Sequence, residues 1–254
     1  MAREVSIITP VRSGHADYLA ETWESVRGQR VPLGWFVRWY VQEDGPTSTV
    51  RDFVASLDST QAEYAASGVA GGAAEARNLA LARSDGEVVM LLDADDQLAP
   101  GAVERVLTSL DLGHMWCGFA AVDQRGGQLH VRDGRYSARL DSSGVVVGDE
   151  RDFDASEWMG EVPRGSLHTC WDNHGLLPFH PTTFSTYTRW IWEVGGWPGL
   201  SRDEDTALIL AISDSHAGMV SGEVNVHYRR HREQTSRQVP PLTERIRFIA
   251  RRRR

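Results

Sequence analysis

The chain has 254 residues, of which 41% are hydrophobic and 24% are charged, and its formal net charge is −8. These proportions are typical of a globular protein with a substantial core, and they exclude both a disordered chain and a bundle of membrane-spanning helices. The negative charge argues against a general nucleic-acid-binding protein.

The N-terminal residues and the cysteines indicate the cellular compartment in which we expect the protein. No stretch approaches the roughly 18 consecutive apolar residues of a transmembrane helix, and residues 1–6 run into a predicted strand without a signal peptide. Cys117 and Cys170 are too few for a disulfide framework. We therefore expect free thiols and a cytoplasmic location.

The first half of the chain alternates between apolar runs and amphipathic segments. In chain order the pattern predicts a strand at 4–10, a helix at 15–27, a strand at 35–42, a helix at 48–57, a glycine-rich loop at 68–74, a helix at 74–83, a strand at 87–92, a helix at 100–110 and a strand at 115–122. This alternation predicts an α/β fold with a mostly parallel central sheet flanked by helices. Ligands of such sheets gather at the carboxyl ends of the strands.

The second half is less regular. Residues 126–179 contain many polar residues and glycines, and we interpret them as an excursion that carries substrate-facing loops. A helix at 188–194, a turn at 195–198 and a helix at 203–213 follow. No linker divides the chain, so we expect a single domain.

Three acidic clusters end predicted strands or begin a helix. They are Glu43-Asp44-Gly45, Asp93-Ala94-Asp95-Asp96 and Asp203-Glu204-Asp205. The first two are expected at one edge of the sheet. Closely spaced carboxylates after a buried strand can hold Mg²⁺ or Mn²⁺ against a diphosphate, although acidic turns after strands are also common without any metal.

Six motifs in order resemble the family 2 glycosyltransferases of the GT-A (Rossmann-like) fold, over about the first 125 residues and again over about 180–236. The matching segments are Ser6–Arg12, Glu43–Gly45, Gly71–Asn78, Met90–Asp96, Gly195–Trp197 and Glu204–Asp205. The resemblance implies an inverting glycosyltransferase that uses a nucleotide-sugar donor. It implies a nucleotide-sugar and metal-binding half at 1–125 and an acceptor and catalytic-base half at 126–236, within a domain spanning 1–236.

The resemblance also assigns residues to the donor site. The nucleotide-binding residues would be Thr9, Pro10, Arg12, Asp44, Arg77 and Asp93. The metal would be Mg²⁺ or Mn²⁺, held by Asp95 as the preferred ligand together with Asp93 and His231. Arg230 and His231 would contact the diphosphate, in preference to His227. Alternative interpretations are a solvated helical arginine for Arg77 and a basic surface loop for 227–236.

Catalysis would depend on Asp205, the general base, with Glu204 beside it. Both could instead be favourable charges at the start of a helix, and the two interpretations are compatible. Gly195, Gly196, Trp197 and Glu204 would contact the donor sugar, with the Trp197 ring near it. Trp158 and Trp171 are candidates for the acceptor wall, and the role of the segment at 180–183 stays open.

The resulting prediction is a metal-dependent hexosyl- or N-acetylhexosaminyltransferase. Its donor would be a nucleoside diphosphate sugar, most commonly a uridine diphosphate sugar in this family. The acceptor hydroxyl could belong to a glycan, a lipid-linked precursor, a natural product or a peptide. The basic tail at 237–254 could hold the protein against an anionic membrane through Arg245–Arg254, or be a solvated terminus.

Rival interpretations fit less well. A sugar nucleotidylyltransferase would need an N-terminal glycine-rich phosphate loop and usually a lysine, and a haloacid-dehalogenase-type phosphatase normally needs a lysine as well. All 27 basic residues of this chain are arginines. A non-catalytic nucleotide-sugar-binding protein of the same fold stays open, although such a protein would need neither Asp95 nor Asp205.

Overall fold

The structure is a computed structural model that describes residues 2–57, 59–125, 128–130, 135–136, 153–174 and 176–229. Its strands are β1 (Arg3–Arg12), β2 (Trp35–Asp44), β3 (Ala62–Ala66), β4 (Val88–Leu91), β5 (Gln97–Leu98), β6 (Trp116–Arg125), β7 (Gln128–His130), β8 (Arg135–Tyr136), β9 (Phe153–Asp154), β10 (Gly160–Val162), β11 (Ser185–Tyr187) and β12 (Gly218–Arg229). Its helices are α1 (Leu19–Arg27), α2 (Thr49–Ser56), α3 (Ala73–Arg83), α4 (Ala102–Asp111), α5 (Ser166–His174), α6 (Thr188–Glu193) and α7 (Glu204–Ser215). Short 3₁₀ turns lie at Ala155–Trp158 and Pro181–Thr183.

A single large sheet connects the two halves of the chain. Its strand order is β10-β12-β6-β11-β4-β1-β2-β3, with β5 paired to β12 and β7 paired to β6, while β8 and β9 form a separate pair. Strands β4, β1, β2 and β3 run parallel to one another, and β6 runs parallel to β12. Strand β11 is antiparallel to both β4 and β6, between which it lies. The predicted α/β fold with a mostly parallel central sheet is therefore confirmed.

Helices cover both faces of the sheet. Along β1 the side chains alternate between the faces, so Val5, Ile7 and Val11 join the core beneath α1, α2 and α4. Ile8 joins the core on the opposite face, beneath α3, α5, α6 and α7. Because both faces are covered, the central strands consist of nearly continuous apolar residues, which is the pattern that predicted them.

The regular elements of the first half lie within a few residues of their predicted bounds, but several elements were missed. The half-buried strand β3 has the sequence Ala-Glu-Tyr-Ala-Ala, which lacks a clear apolar alternation. The excursion predicted for 126–179 is wrong in part, because helix α5 and strand β10 lie within it. The loop predicted from residue 227 is also wrong at its start, since His227 and Arg229 belong to β12.

Two smaller predictions concern cysteines and membrane spans. Cys117 and Cys170 are buried free thiols, as expected, and burial raises the pKa of Cys170 to about 12. Within the described ranges, no helix has both the length and the apolar character needed to cross a bilayer.

The close contact between Gly118 and Phe179 leads to a prediction about packing. A Cβ atom at Gly118 would lie 2.4 Å from Cγ of the buried Phe179 ring, which itself packs against Phe184 and Trp116. We expect Gly118→Ala to lower the free energy of unfolding by about 1–3 kcal/mol, because the ring has little room to shift. Denaturant titration would measure the change.

Gly199→Ala is the matched control, because a Cβ atom there meets no atom of the described residues within 4 Å. We expect a change within about 0.5 kcal/mol for the control. Equal effects of the two substitutions would contradict the packing described for β6.

Candidate active site

The candidate site is organised around one buried arginine. Arg77 lies on α3 with only 4% of its side chain exposed. Its guanidinium donates to Asp93 Oδ1 at 2.9 Å and to Glu204 Oε1 at 2.7 Å, and one of its nitrogens lies 3.2 Å from Asp205 Oδ2. We call these four residues the Arg77 cluster. It brings together the predicted donor-site aspartate and both predicted catalytic carboxylates.

The charges of the Arg77 cluster do not balance, since one guanidinium faces three carboxyl groups. Burial alone would lower the pKa of Arg77, but Asp205, Asp93 and Glu204 outweigh burial and raise it. Burial raises the pKa of Asp205 to about 7, against the opposing effect of Arg77, and Glu204 and Asp93 contribute to the increase. The pKa of Asp205 therefore lies well above that of an ordinary aspartate.

Local backbone geometry directs these side chains toward each other. Helix α3 begins after Gly72, whose φ of 93° suits glycine, and Asp44 accepts hydrogen bonds from the backbone N–H groups of Gly71 and Gly72 at 2.7 and 3.1 Å. Helix α7 begins after Asp203, which has a left-handed φ of 58°. Glu204 and Asp205 thus occupy the first turn of α7, where the helix dipole favours negative charge.

The acidic turn after β4 contains three aspartates with different surroundings. Asp93 and Asp95 are partly exposed, whereas Asp96 is fully buried. Asp96 Oδ1 accepts a hydrogen bond from the backbone N–H of Arg229 at 2.8 Å, and burial raises the pKa of Asp96 well above its ordinary value. The Arg229 side chain donates to the backbone oxygen of Asp95 at 3.0 Å and also binds Glu21 of α1. The end of β12 is therefore joined to the acidic turn.

The donor set of the acidic turn fits one class of metal. The described part of the chain contains no group of three or more His, Cys, Asp or Glu side chains arranged to hold an ion. Asp93 and Asp95 together offer hard carboxylate oxygens with exposed surface. Two such ligands suit Mg²⁺ or Mn²⁺, which usually take their remaining ligands from water and phosphate oxygens. They do not suit a structural zinc ion.

Four of the six residues predicted to bind the nucleotide lie near the carboxyl ends of β1 and β2, and one of these four points its side chain into the core. Arg12 is exposed and pairs in register with Asp44, and Pro10 is half-buried. The Thr9 side chain is fully buried, and its hydroxyl accepts a hydrogen bond from Trp39 Nε1 at 2.8 Å. Thr9 can therefore shape a pocket only through its backbone.

Glu43, the neighbour of the predicted nucleotide-binding residue Asp44, is held by several hydrogen bonds. Glu43 is fully buried and accepts hydrogen bonds from Ser48, Tyr64 and the backbone of Gly14. Burial alone would raise the pKa of Glu43, but these hydrogen bonds lower it. Glu43 thus anchors the turn that presents Asp44.

The expected sugar contact of the Trp197 ring is wrong. Trp197 is only 2% exposed and packs in the core beneath α7, so its ring has no open face for a sugar. Its indole N–H instead donates to Asp205 Oδ1 at 2.7 Å. Gly195 and Gly196 form the preceding turn with φ values of 81° and 78°. Gly195 is exposed, whereas Gly196 is buried against Asn78.

Other predicted residues divide into three groups. Arg230 and His231 lie outside the described residues. His227 is partly buried in β12, and burial lowers its pKa. Trp158 packs against Ala155 and Cys170, and Trp171 packs against the core beneath α7. Part of the surface of each ring is therefore covered by these contacts.

Sequence reasoning missed two residues that shape the site. The sequence pattern assigns no role to Asn78, which lies within the matched segment Gly71–Asn78, or to Arg229. Asn78 binds the backbone of Trp197 through both ends of its amide, at 2.8 and 2.9 Å. The available signal for Asn78 is its adjacency to Arg77 on α3, because Arg77 reaches the start of α7 and Asn78 reaches the turn before it.

Comparison with known proteins supports a family assignment. The family model described as "Glycosyl transferase family 2" matches residues 6–156, which is more than half of the chain. The sequences of curated proteins give no match.

The fold is similar to that of S. aureus TarS 1-349. For TarS in complex with UDP-GlcNAc the TM-score is 0.69 at 15% sequence identity, over 97% of this chain and 65% of that one. For TarS in complex with UDP the TM-score is 0.61 at 15% identity, over 89% and 60%. The present chain thus spans somewhat less than two thirds of the TarS chain, and at this identity the likeness shows the fold.

Removal of the central cation tests the electrostatics of the Arg77 cluster. We expect Arg77→Met to lower the free energy of unfolding at neutral pH by about 3–5 kcal/mol, because buried carboxylates would lose their counter-charge. The pKa of Asp205 in the folded variant would rise further above its unfolded value. The loss of stability should therefore be smallest at acidic pH and grow as the pH rises through 7. Denaturant titration across this range would measure it.

Arg83→Met is the matched control on the same helix, because Arg83 donates to the amide oxygen of Gln42 at 3.0 Å and interacts with one carboxylate, Glu63, instead of three. Its loss should cost about 1 kcal/mol. A cost for Arg77→Met no larger than that of the control would show that the carboxyl groups do not depend on Arg77.

Proposed function

The chain belongs to glycosyl transferase family 2, and from this premise we propose that it is a metal-dependent inverting glycosyltransferase. It would transfer a hexosyl or N-acetylhexosaminyl group from a nucleoside diphosphate sugar to an acceptor hydroxyl. The observation that carries this proposal is the Arg77 cluster, which joins carboxylates from the donor half and the acceptor half of the chain at one edge of the sheet.

The donor is proposed to be a uridine diphosphate sugar. TarS, which has a similar fold, has been crystallised with UDP and with UDP-GlcNAc. In the present chain, Arg12, Asp44 and Pro10 lie together at the carboxyl ends of β1 and β2, where ligands of open α/β sheets bind. Asp44 would accept a hydrogen bond from the base while it also holds Gly71 and Gly72.

Asp95 and Asp93 would hold Mg²⁺ or Mn²⁺ beside the diphosphate, with His231 as a further proposed ligand. A bound divalent cation would neutralise the charge of the departing nucleoside diphosphate. Arg77 fixes one oxygen of Asp93, so this carboxylate has a defined orientation before any ligand arrives. Arg230 is proposed to contact the phosphate oxygens as a charge-assisted donor.

Asp205 is proposed as the general base that takes the proton from the acceptor hydroxyl. Its pKa of about 7 suits this role, since a base works best with a pKa near the operating pH. Trp197 and Arg77 each use one of its oxygens, but every carboxylate oxygen has two lone-pair directions. The 14% of the side chain that is exposed offers the route for a hydroxyl. Attack opposite the leaving diphosphate would invert the sugar configuration.

Glu204 is proposed to contact the donor sugar or support the base. As a carboxylate, Glu204 can only accept hydrogen bonds, and one of its oxygens already accepts from Arg77 at 2.7 Å. The exposed Gly195 would allow the sugar to approach the backbone of the turn closely, since it has no side chain.

Contact of Arg245–Arg254 with an anionic membrane stays a proposal on residues outside the described ranges.

A second candidate function is a nucleotide-sugar-binding protein without catalysis. The observation that favours it is the depth of Asp205, whose carboxylate is engaged by a buried arginine and a buried indole. In this interpretation the Arg77 cluster would stabilise the fold, and Asp205 would not act as a base. Turnover of a donor separates the two candidates.

Substitution of the base gives the most specific prediction for catalysis. We expect Asp205→Asn to bind donor normally but to lose about 10²–10⁴-fold in kcat, because an amide keeps the shape of the carboxylate and cannot accept a proton. The KM for the donor should change little. In the wild type, kcat/KM should increase as the pH rises through about 7, because Asp205 must be deprotonated to act.

Asp203→Asn and Glu204→Gln are the controls for the adjacent acidic residues. Both should be milder than Asp205→Asn in kcat. A wild-type rate in Asp205→Asn together with a loss in either control would assign the base to a different residue. Wild-type rates in all three would favour the non-catalytic role of the acidic helix start.

The metal role of Asp95 predicts a binding defect. We expect Asp95→Ala to abolish the Mn²⁺-dependent part of UDP binding, because the carboxylate would link the ion to the acidic turn. Isothermal titration with UDP, in Mn²⁺ and in excess chelator, would measure it. Asp111→Ala, at the end of α4, is the control and should keep the Mn²⁺ dependence. Tight Mn²⁺-dependent binding in Asp95→Ala would exclude Asp95 as a ligand.

A further inference from the structure

The hydrogen bond between Trp197 and Asp205 joins two buried side chains. The indole Nε1 lies 2.7 Å from Asp205 Oδ1, which is a short distance for an N–H donor. Trp197 is 2% exposed, and the Asp205 side chain is 14% exposed. A hydrogen bond to a charged group in such surroundings is stronger than one between neutral groups, because little water competes for it.

Trp197 is itself held in place from two sides. The amide of Asn78 accepts from the backbone N–H of Trp197 at 2.9 Å and donates to its backbone oxygen at 2.8 Å. The preceding Gly196 has a φ of 78°, and a Cβ atom there would lie 2.4 Å from Asn78 Oδ1. The position before Trp197 therefore requires glycine, and the indole enters the core in one fixed direction.

The two oxygens of Asp205 thus have partners from different parts of the fold. Trp197, from the turn after α6, donates to Oδ1, and Arg77, from α3, forms an ion pair with Oδ2 at 3.2 Å. Among the described residues, the other charged groups that act on this carboxyl are Glu204 on its own helix and Asp93 from the turn after β4. These two acids repel the charged form, so the orientation of Asp205 depends on Trp197 and Arg77.

Other buried tryptophans of the chain make a useful contrast. Trp39 donates to the hydroxyl of Thr9, and Trp116 donates to the backbone oxygen of His216, so both have neutral acceptors. The buried Nε1 of Trp190 has no hydrogen-bond partner in the described part of the chain. Donation to a carboxylate is therefore specific to the position of Trp197 rather than a general feature of these rings.

We propose that Trp197 is a positioning residue, which orients the Asp205 carboxylate for proton transfer through its indole N–H. This role rests on the proposed function, in which Asp205 is the base. Trp197 does not touch the substrate, and it acts only through Asp205. Asn78 and the glycine turn support the same arrangement one step further from the reacting atoms.

Kinetics of Trp197→Phe test this role, because phenylalanine keeps a buried aromatic ring and removes the N–H donor. We expect kcat to fall by about 10-fold to 100-fold, the range typical of a misplaced catalytic group, while the KM for the donor stays within about twofold. Trp190→Phe is the matched control, since it removes the same group without a hydrogen bond and should keep the wild-type kcat. A wild-type kcat in Trp197→Phe would overturn the proposal.

A spectroscopic measurement on the ligand-free protein tests the contact independently of activity and of the folding of Trp197→Phe. Each of the nine tryptophans contributes one indole N–H resonance to a ¹H–¹⁵N spectrum. We expect Asp205→Asn to move the assigned Trp197 resonance upfield and to leave that of Trp190 in place, because an amide oxygen is a weaker acceptor than a carboxylate. An unmoved Trp197 resonance would overturn the proposal.

The two measurements also separate this proposal from the proposed function. If wild-type protein transfers no sugar while the Trp197 resonance responds to Asp205→Asn, the contact exists but the proposed function fails, and the positioning role fails with it. If the wild type is active and Trp197→Phe is equally active, only the positioning role fails.

Discussion

A buried cation must be compensated locally, and in this protein the constraint falls on Arg77. Its guanidinium is almost fully removed from water, and it is paired with carboxyl groups from the turn after β4 and from the start of α7. Burial of an unpaired charge would cost several kcal/mol. The two halves of the chain must therefore meet at this point, and the edge of the sheet where they meet is where an α/β fold binds its ligands.

The parallel part of the fold could be predicted from the sequence because its strands are buried on both faces. Strands β1, β2 and β4 are apolar runs that end in polar turns, and this pattern is independent of distant contacts. Strand β11 has the sequence Ser-Thr-Tyr and is stabilised by pairing with both β4 and β6. Such a short strand carries no local pattern, so only the assembled sheet defines it.

In the candidate site, too, some features follow from the local sequence and others depend on contacts between distant parts of the chain. The sequence could place Asp93, Asp95 and Asp205 at the ends of elements, because an acidic residue after a strand or at a helix start is visible locally. It could not show that Trp197 turns its indole inward to Asp205, since this depends on the Gly-Gly turn and on Asn78 of a distant helix. The raised pKa of Asp205 likewise depends on tertiary structure, because it results first from burial and in part from Asp93, which lies far away in the chain.

The Arg77 cluster is proposed to serve sugar transfer rather than the fold alone. The most direct measurement is the release of nucleoside diphosphate from a panel of nucleotide sugars by the purified protein with Mn²⁺, with and without chelator. We predict that at least one donor, foremost a uridine diphosphate sugar, releases its nucleoside diphosphate above background with water as the acceptor, and that chelator stops the release. Donors that raise the melting temperature by binding, without any release above background, would contradict it.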